Sequence, residues 1–303
     1  MRRRPTRTAL AAALGVVLAG LCAGLAPLGT ATGDATGDLR PVSSATAPYR
    51  FAAAPDIFNQ DIGDVRGQRG WQPGDPNSWT PQLETAVDTV LDEIAGHDPQ
   101  SLLVAGDLVE GHWGRDDLGT GIFGPTRTAP QRAASLRRAG AFYHGQNAQR
   151  FAAHGLDLYA AIGDHDLGDN PWTGSPQLRW KRQHAALFRS VFAQAYDETA
   201  DGSPRFTDRP VGTQWADTAY ATQLSPDVLL VSLDVFHVTK DDVRTEVVGG
   251  QLRWLRHVLA DARQRGVPWI VVQGHVPVLT PVRVRYSSGL SLERGERSPL
   301  WRT

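Results

Sequence analysis

An apolar run that stops abruptly at three ionisable side chains, Leu158-Tyr159-Ala160-Ala161-Ile162-Gly163-Asp164-His165-Asp166, constrains this chain more than any other stretch. Packing of a buried strand accounts for its first half and leaves the second unexplained. Hydrophilic groups at a strand's carboxyl end stand where open α/β sheets form their ligand crevice. The pattern recurs. Leu102-Leu103-Val104-Ala105 runs into Gly106-Asp107, Ile270-Val271-Val272-Gln273 runs into Gly274-His275, and Tyr49–Ala54 leads through Pro55 to Asp56.

Taken in order, the four ends read Asp, Gly-Asp, Gly-Asp-His-Asp and Gly-His. In this the chain resembles the calcineurin-like metallophosphoesterases, whose signature runs Asp-x-His, Gly-Asp-x-x-Asp, Gly-Asn-His-Asp/Glu, a lone His and Gly-His-x-His. The likeness spans roughly residues 49–303. Its first motif keeps Asp56 but has Phe58 where the family places a histidine, a departure shared with the purple acid phosphatase branch. The last motif is absent, since Val276–Thr303 contains no histidine. Ser298-Pro299 reads as an N-cap and first helical turn just before the chain stops, so the domain is expected to be C-terminally incomplete and its metal binding weak.

The resemblance implies a four-layer α/β/β/α sandwich with two metal ions at the strand ends, of Fe, Mn or Zn. It implies hydrolysis of phosphomonoesters or phosphodiesters by attack of a metal-bridging hydroxide. Asp107 would bridge the ions, Asp56 would bind the first, and Asp164, standing for the family's Asn, and His275 would bind the second. Asn59 or Asp61 from the first loop, or Glu110 at the spacing where the purple acid phosphatases use a tyrosine ligand, are candidates for the place lost at Phe58. A solvated loop residue is the other reading of Glu110. His165 beside Asp166 fits a general acid oriented by a carboxylate, able to protonate the departing alkoxide. His112, on the loop after Glu110, is placed to face substrate.

The remaining pattern alternates strands with helices, as in an α/β domain. Strands are expected at 49–54, 101–105, 156–162, 227–234 and 267–273. Thr80-Pro81 opens a helix whose Leu83, Val87, Val90, Leu91 and Ile94 share a face. Further helices are expected at about 130–154, at 177–196, and around Leu252, Leu255, Leu259 and Ala262. Residues 55–79, rich in Gly, Pro and Asp, read as a long loop, functional or disordered, and 201–217 as turns with room for a short hairpin.

Residues 1–31 are of another kind: Arg2, Arg3, Arg4 and Arg7, then an apolar stretch, then small residues ending in Ala31. That order is a secretory signal peptide, followed by a flexible linker over 32–48 and the phosphoesterase domain over 49–303. A secreted or cell-surface protein without stable membrane insertion is expected. Cys22 is the only cysteine and Met1 the only methionine, so the exported chain has no sulfur and holds metal through nitrogen and oxygen alone. Losing the four leader arginines leaves 27 basic residues against 32 acidic, a net charge of −5, which argues against a nucleic-acid surface and leaves a small phosphate ester as the expected partner. A carboxylate-pair glycosidase would not explain the Gly-Asp and Gly-His ends. There is no Gly-x-Ser-x-Gly elbow and no Gly-rich nucleotide loop. The alternative is a non-catalytic member of the same fold with an impaired metal site, binding at the cell surface.

Overall fold

A computed structural model describes residues 48–114, 121–169, 178–279 and 292–303. The expected signal peptide and all but the last residue of the linker lie outside them. Three short strands, β1 (Phe51–Ala54), β2 (Ser101–Val104) and β3 (Leu158–Ala160), form a parallel sheet in the order β1-β2-β3. β2 is buried along its whole length, as a central parallel strand covered on both faces must be. A second sheet has the order β4-β5-β8, from β4 (Tyr220–Ser225), β5 (Val228–Ser232) and β8 (Trp269–Gln273). There β4 runs antiparallel and β8 parallel to β5. A hairpin of β6 (Phe236–Val238) and β7 (Val243–Thr245) completes a mixed α/β architecture.

The helices start where the sequence offers their caps. In α1 (Pro81–Gly96) the Thr80 hydroxyl accepts from the Leu83 N–H at 3.2 Å, with proline in the first turn. Val87 and Leu91 carry its buried stripe. In α2 (Ala129–Ala153) Thr128 and Gln131 cap each other reciprocally, the hydroxyl accepting from the Gln131 N–H and the amide oxygen from the Thr128 N–H. This arrangement satisfies two otherwise orphaned donors. α3 (Leu178–Tyr196) packs on α2, and both helices reach β3. α4 (Gly249–Gln264) buries Leu252, Leu255, Val258 and Ala262.

Several expectations are corrected. No strand forms over 201–217, where only isolated bridges pair Glu198 with Pro204 and Asp208 with Ala221; the strand begins at Tyr220. Beyond Ser298 the backbone makes a turn rather than a helix, with the Trp301 N–H donating to the Ser298 hydroxyl at 3.2 Å. β8 is an edge strand among the described residues, with Trp269, Ile270 and Val272 exposed, although its composition reads as a buried strand. The two larger sheets are tied by side chains. The Tyr220 hydroxyl donates to the Ala160 carbonyl at 3.1 Å and the Gln273 amide to the Tyr159 carbonyl at 3.2 Å. This joins the carboxyl end of β3 to that of β8, and so brings Asp164 and His275 together.

Candidate metal centre

Each strand end delivers its side chain through a tight turn. Asp56 and Asn59 after β1, Asp107 after β2 and Asp169 after β3 have φ of 39°, 43°, 52° and 62°. These are four of the six non-glycine residues with positive φ among the described residues. Asp and Asn tolerate that conformation better than most side chains, yet it still costs free energy, and such outliers gather at functional sites. Gly106 and Gly163 let the loops close. A Cβ on Gly163 would stand 2.1 Å from Asp107 Oδ1, and one on Gly106 would stand 2.8 Å from His275 Nδ1.

The result is an imidazole surrounded by carboxylates. His275 Nδ1–H donates to the Ala105 carbonyl at 2.6 Å, and Nε2 faces Asp164 Oδ1 at 2.9 Å and Asp107 Oδ2 at 3.5 Å. Asp56 Oδ1 stands 3.5 Å from Nδ1. Asp56, Asp107 and His275 can each offer one atom to a common point, all within 4.8 Å of one another. Burial works against a charge on His275, but the Asp164 hydrogen bond and the charges of Asp107, Asp164 and Asp56 outweigh it and hold the ring protonated well above its usual range. Burial and the neighbouring carboxylates push Asp107 up. Carboxylates gathered this closely favour a cation among them.

The donor set fits a metal on three counts. It is oxygen and nitrogen only, as hard and borderline divalent ions prefer. The Ala105 carbonyl holds the His275 Nδ1–H, so Nε2 is the nitrogen that would take a metal in place of its proton, as is usual for metal-binding histidines. Asn59, whose N–H donates to the Asp107 carbonyl at 2.8 Å, keeps a buried Oδ1 with no hydrogen-bond partner among the described residues.

Three candidate residues lie in surroundings other than those expected. Asp166 does not orient His165. It is fully buried, and its carboxylate accepts the N–H groups of Gly163 at 2.7 Å, Asp107 at 3.0 Å and Leu108 at 3.2 Å. It therefore pins the β2 and β3 loops together from behind. The carboxylates that do flank His165 Nδ1 are Asp169 at 3.6 Å and Glu110 at 3.7 Å. Glu110 is consequently grouped with His112 and Asp169, not with Asp56, Asp107 and His275. Asp61 is engaged away from Asp56, Asp107 and His275. It accepts from the N–H groups of Glu110 and Gly111 and from the Trp113 indole at 2.9 Å, and burial pushes it up to about 6 despite these bonds. Phe58 packs against Phe151, ring centroids 5.6 Å apart, in the core.

His165 is held by its backbone, whose N–H donates to Asp107 Oδ1 at 3.0 Å. Its buried Nδ1 has no hydrogen-bond partner among the described residues. His112 Nε2 bonds Asp169 Oδ2. Asp169 is the site residue that sequence reading overlooks, although its spacing of four from His165 was the available signal. Asp234, at the end of β5, looks like another site aspartate and is not one. Arg189 Nε donates to it at 2.7 Å and the Thr218 hydroxyl at 2.6 Å, deep in the core.

No family model and no curated protein matches the chain. Among solved structures it is similar to a dimetal phosphatase from Danio rerio, at 14% identity over 76% of this chain and 70% of that one, with a TM-score of 0.34.

Proposed function

We propose that this protein is a metal-dependent phosphoesterase acting on phosphomonoesters or phosphodiesters, built on the four-layer α/β/β/α sandwich of the calcineurin-like metallophosphoesterases. One observation carries the reading: the ends of β1, β2, β3 and β8, from two sheets, bring three carboxylates within 3.5 Å of one imidazole. Asp56, Asp107, Asp164 and His275 would hold two ions of Fe, Mn or Zn, with Asp107 shared and Asn59 as a further oxygen donor. When bound, such ions neutralise phosphoryl oxygens and acidify a water.

The rest is work for the chain's own side chains. Asp166 holds the Asp107 and Gly163 turns in register. His165 stands beside Asp107, with Nδ1 facing Glu110 and Asp169. Those carboxylates flank Nδ1, which leaves Nε2 to give a proton to the departing alkoxide. The leader expected over residues 1–31 would export the protein to the cell surface or the medium.

Phe58 favours the second reading, a binding protein of the same fold with an impaired centre. Both readings are decided by metal analysis of purified protein coupled to a screen of phosphomono- and diesters. Bound metal with hydrolysis supports the enzyme. Neither metal nor hydrolysis, after loading with Fe, Mn and Zn in turn, would discard it.

A further inference from the structure

Apart from the residues around His275, two carboxylates and two imidazoles meet between neighbouring loops. Glu110 and His112 lie on the loop after β2, and His165 and Asp169 on the loop after β3. The two loops are tightly apposed. Gly111, at φ 74°, approaches the next loop so closely that a Cβ on it would stand 2.0 Å from the His165 carbonyl oxygen. Asp61 accepts the Glu110 and Gly111 N–H groups at 3.1 and 3.2 Å, and the His165 carbonyl accepts that of Gly168 at 2.8 Å. The side chains are thus presented from a braced backbone.

Their spacings are those of ligands more than of hydrogen bonds. His165 Nδ1 stands 3.6 Å from Asp169 Oδ1 and 3.7 Å from Glu110 Oε2, and His112 Nδ1 stands 3.8 Å from Glu110 Oε1. N–H···O bonds span about 2.7–3.2 Å. Two ligands bound at about 2.0–2.2 Å to one tetrahedral ion lie roughly 3.3–3.6 Å apart. His165 Nδ1 is buried with no hydrogen-bond partner among the described residues, although buried polar atoms ordinarily have one. Glu110, His112 and Asp169 can each offer an atom within 4.8 Å of the other two. Burial opposes a charge on Asp169, but the His112 bond and the charge of Lys181 outweigh it and hold the carboxyl below its ordinary range.

We infer that Glu110, His112, His165 and Asp169 form a separate site for a single zinc-type divalent ion. Two imidazole nitrogens and two carboxylates suit tetrahedral zinc. The ion takes the place of the proton between His112 Nε2 and Asp169 Oδ2, which passes to solvent. His112 is exposed, so its ring can adjust to the longer spacing an ion needs. His165 binds through Nδ1 and keeps the hydrogen on Nε2. The inference does not rest on the phosphoesterase reading, since it needs neither a substrate nor ions at Asp107 and His275.

Calorimetric titration with zinc of the full chain carrying Asp107→Asn isolates the site, because the amide oxygen left at 107 can still accept the His165 N–H. The expected result is about one zinc ion per chain, bound roughly a hundredfold more weakly once His112→Ala or Glu110→Gln is added. Excess magnesium should not displace it, since magnesium prefers oxygen ligands and water. His154, between Asp92 at 2.8 Å and Asp88 at 3.2 Å, is the competing surface position, and His154→Ala should leave zinc binding unchanged. No zinc binding, binding indifferent to both His112→Ala and Glu110→Gln, or binding lost in His154→Ala would overturn the inference. Should Asp107→Asn fold poorly, anomalous diffraction at the zinc edge from crystals of the parent protein decides: a peak within coordination distance of Glu110 and His165 Nδ1 is expected, and its absence would refute the site.

Discussion

Asp164, His165 and Asp166 are consecutive in the chain and do three different jobs, because a turn after a strand sends successive side chains in different directions. Asp164 faces His275, His165 faces Glu110 and Asp169, and Asp166 turns inward to backbone. Their substitutions should therefore separate. Asp166→Ala strands three buried N–H groups and should cost about 3 kcal/mol or more of stability, read by denaturant unfolding. His165→Ala should keep its metal and lose roughly 10²–10⁴-fold in turnover, with a smaller loss for esters whose leaving groups need little protonation. A loss independent of leaving group would remove His165 from the acid role. The sequence shows that these residues matter, since three polar groups after an apolar run have no packing purpose. It does not show which carboxylate serves which partner, because direction in a turn depends on backbone angles that no spacing rule encodes.

At the scale of elements, the long periodic helices and the strands ending in glycine were legible from local signals. α1 and α2 begin at the Thr-Pro and Thr-x-Pro caps that chain chemistry demands, and Thr128→Ala should lower stability by about 1 kcal/mol in thermal unfolding. β4 and the β6–β7 hairpin were not legible, since strands of three to six residues with mixed polarity carry too little periodicity to stand out from turns. The exposure of β8 was hidden for another reason: an apolar strand looks the same in sequence whether or not something covers it. Gly163 ties element to site. Gly163→Ala would drive a methyl group against Asp107 Oδ1, so the variant should lose metal affinity by more than it loses stability. Unchanged metal affinity would show that the β3 turn does not set the ligand geometry.

For the whole molecule, the core and the centre respond to acid separately. His144 lies buried among Trp113, Phe192 and Tyr196, with Nδ1 at 3.1 Å from the Tyr196 hydroxyl, and burial pushes it down to about 3. Below its unfolded value of about 6.5 the unfolded chain takes up a proton that the folded one refuses. Stability is therefore lost as pH falls from about 6.5 toward 3, by about 1.4 kcal/mol per pH unit at most. The stability difference between the parent and His144→Phe should vary over that window and be flat above it; a difference constant with pH would contradict a neutral His144. The joining of two sheets so that Asp164 and His275 meet rests on contacts between residues over a hundred positions apart, such as Gln273 with Tyr159, and no local reading of the chain contains that. That meeting underlies the proposed metal centre of Asp56, Asp107, Asp164 and His275. The most direct test is anomalous diffraction at the metal edge from crystals soaked in Mn²⁺ or Zn²⁺. A strong peak is expected within coordination distance of Asp107 and His275 Nε2, and it should disappear in Asp107→Asn. A soaked crystal with no peak there, or with its only peak among Glu110, His112 and Asp169, would contradict it.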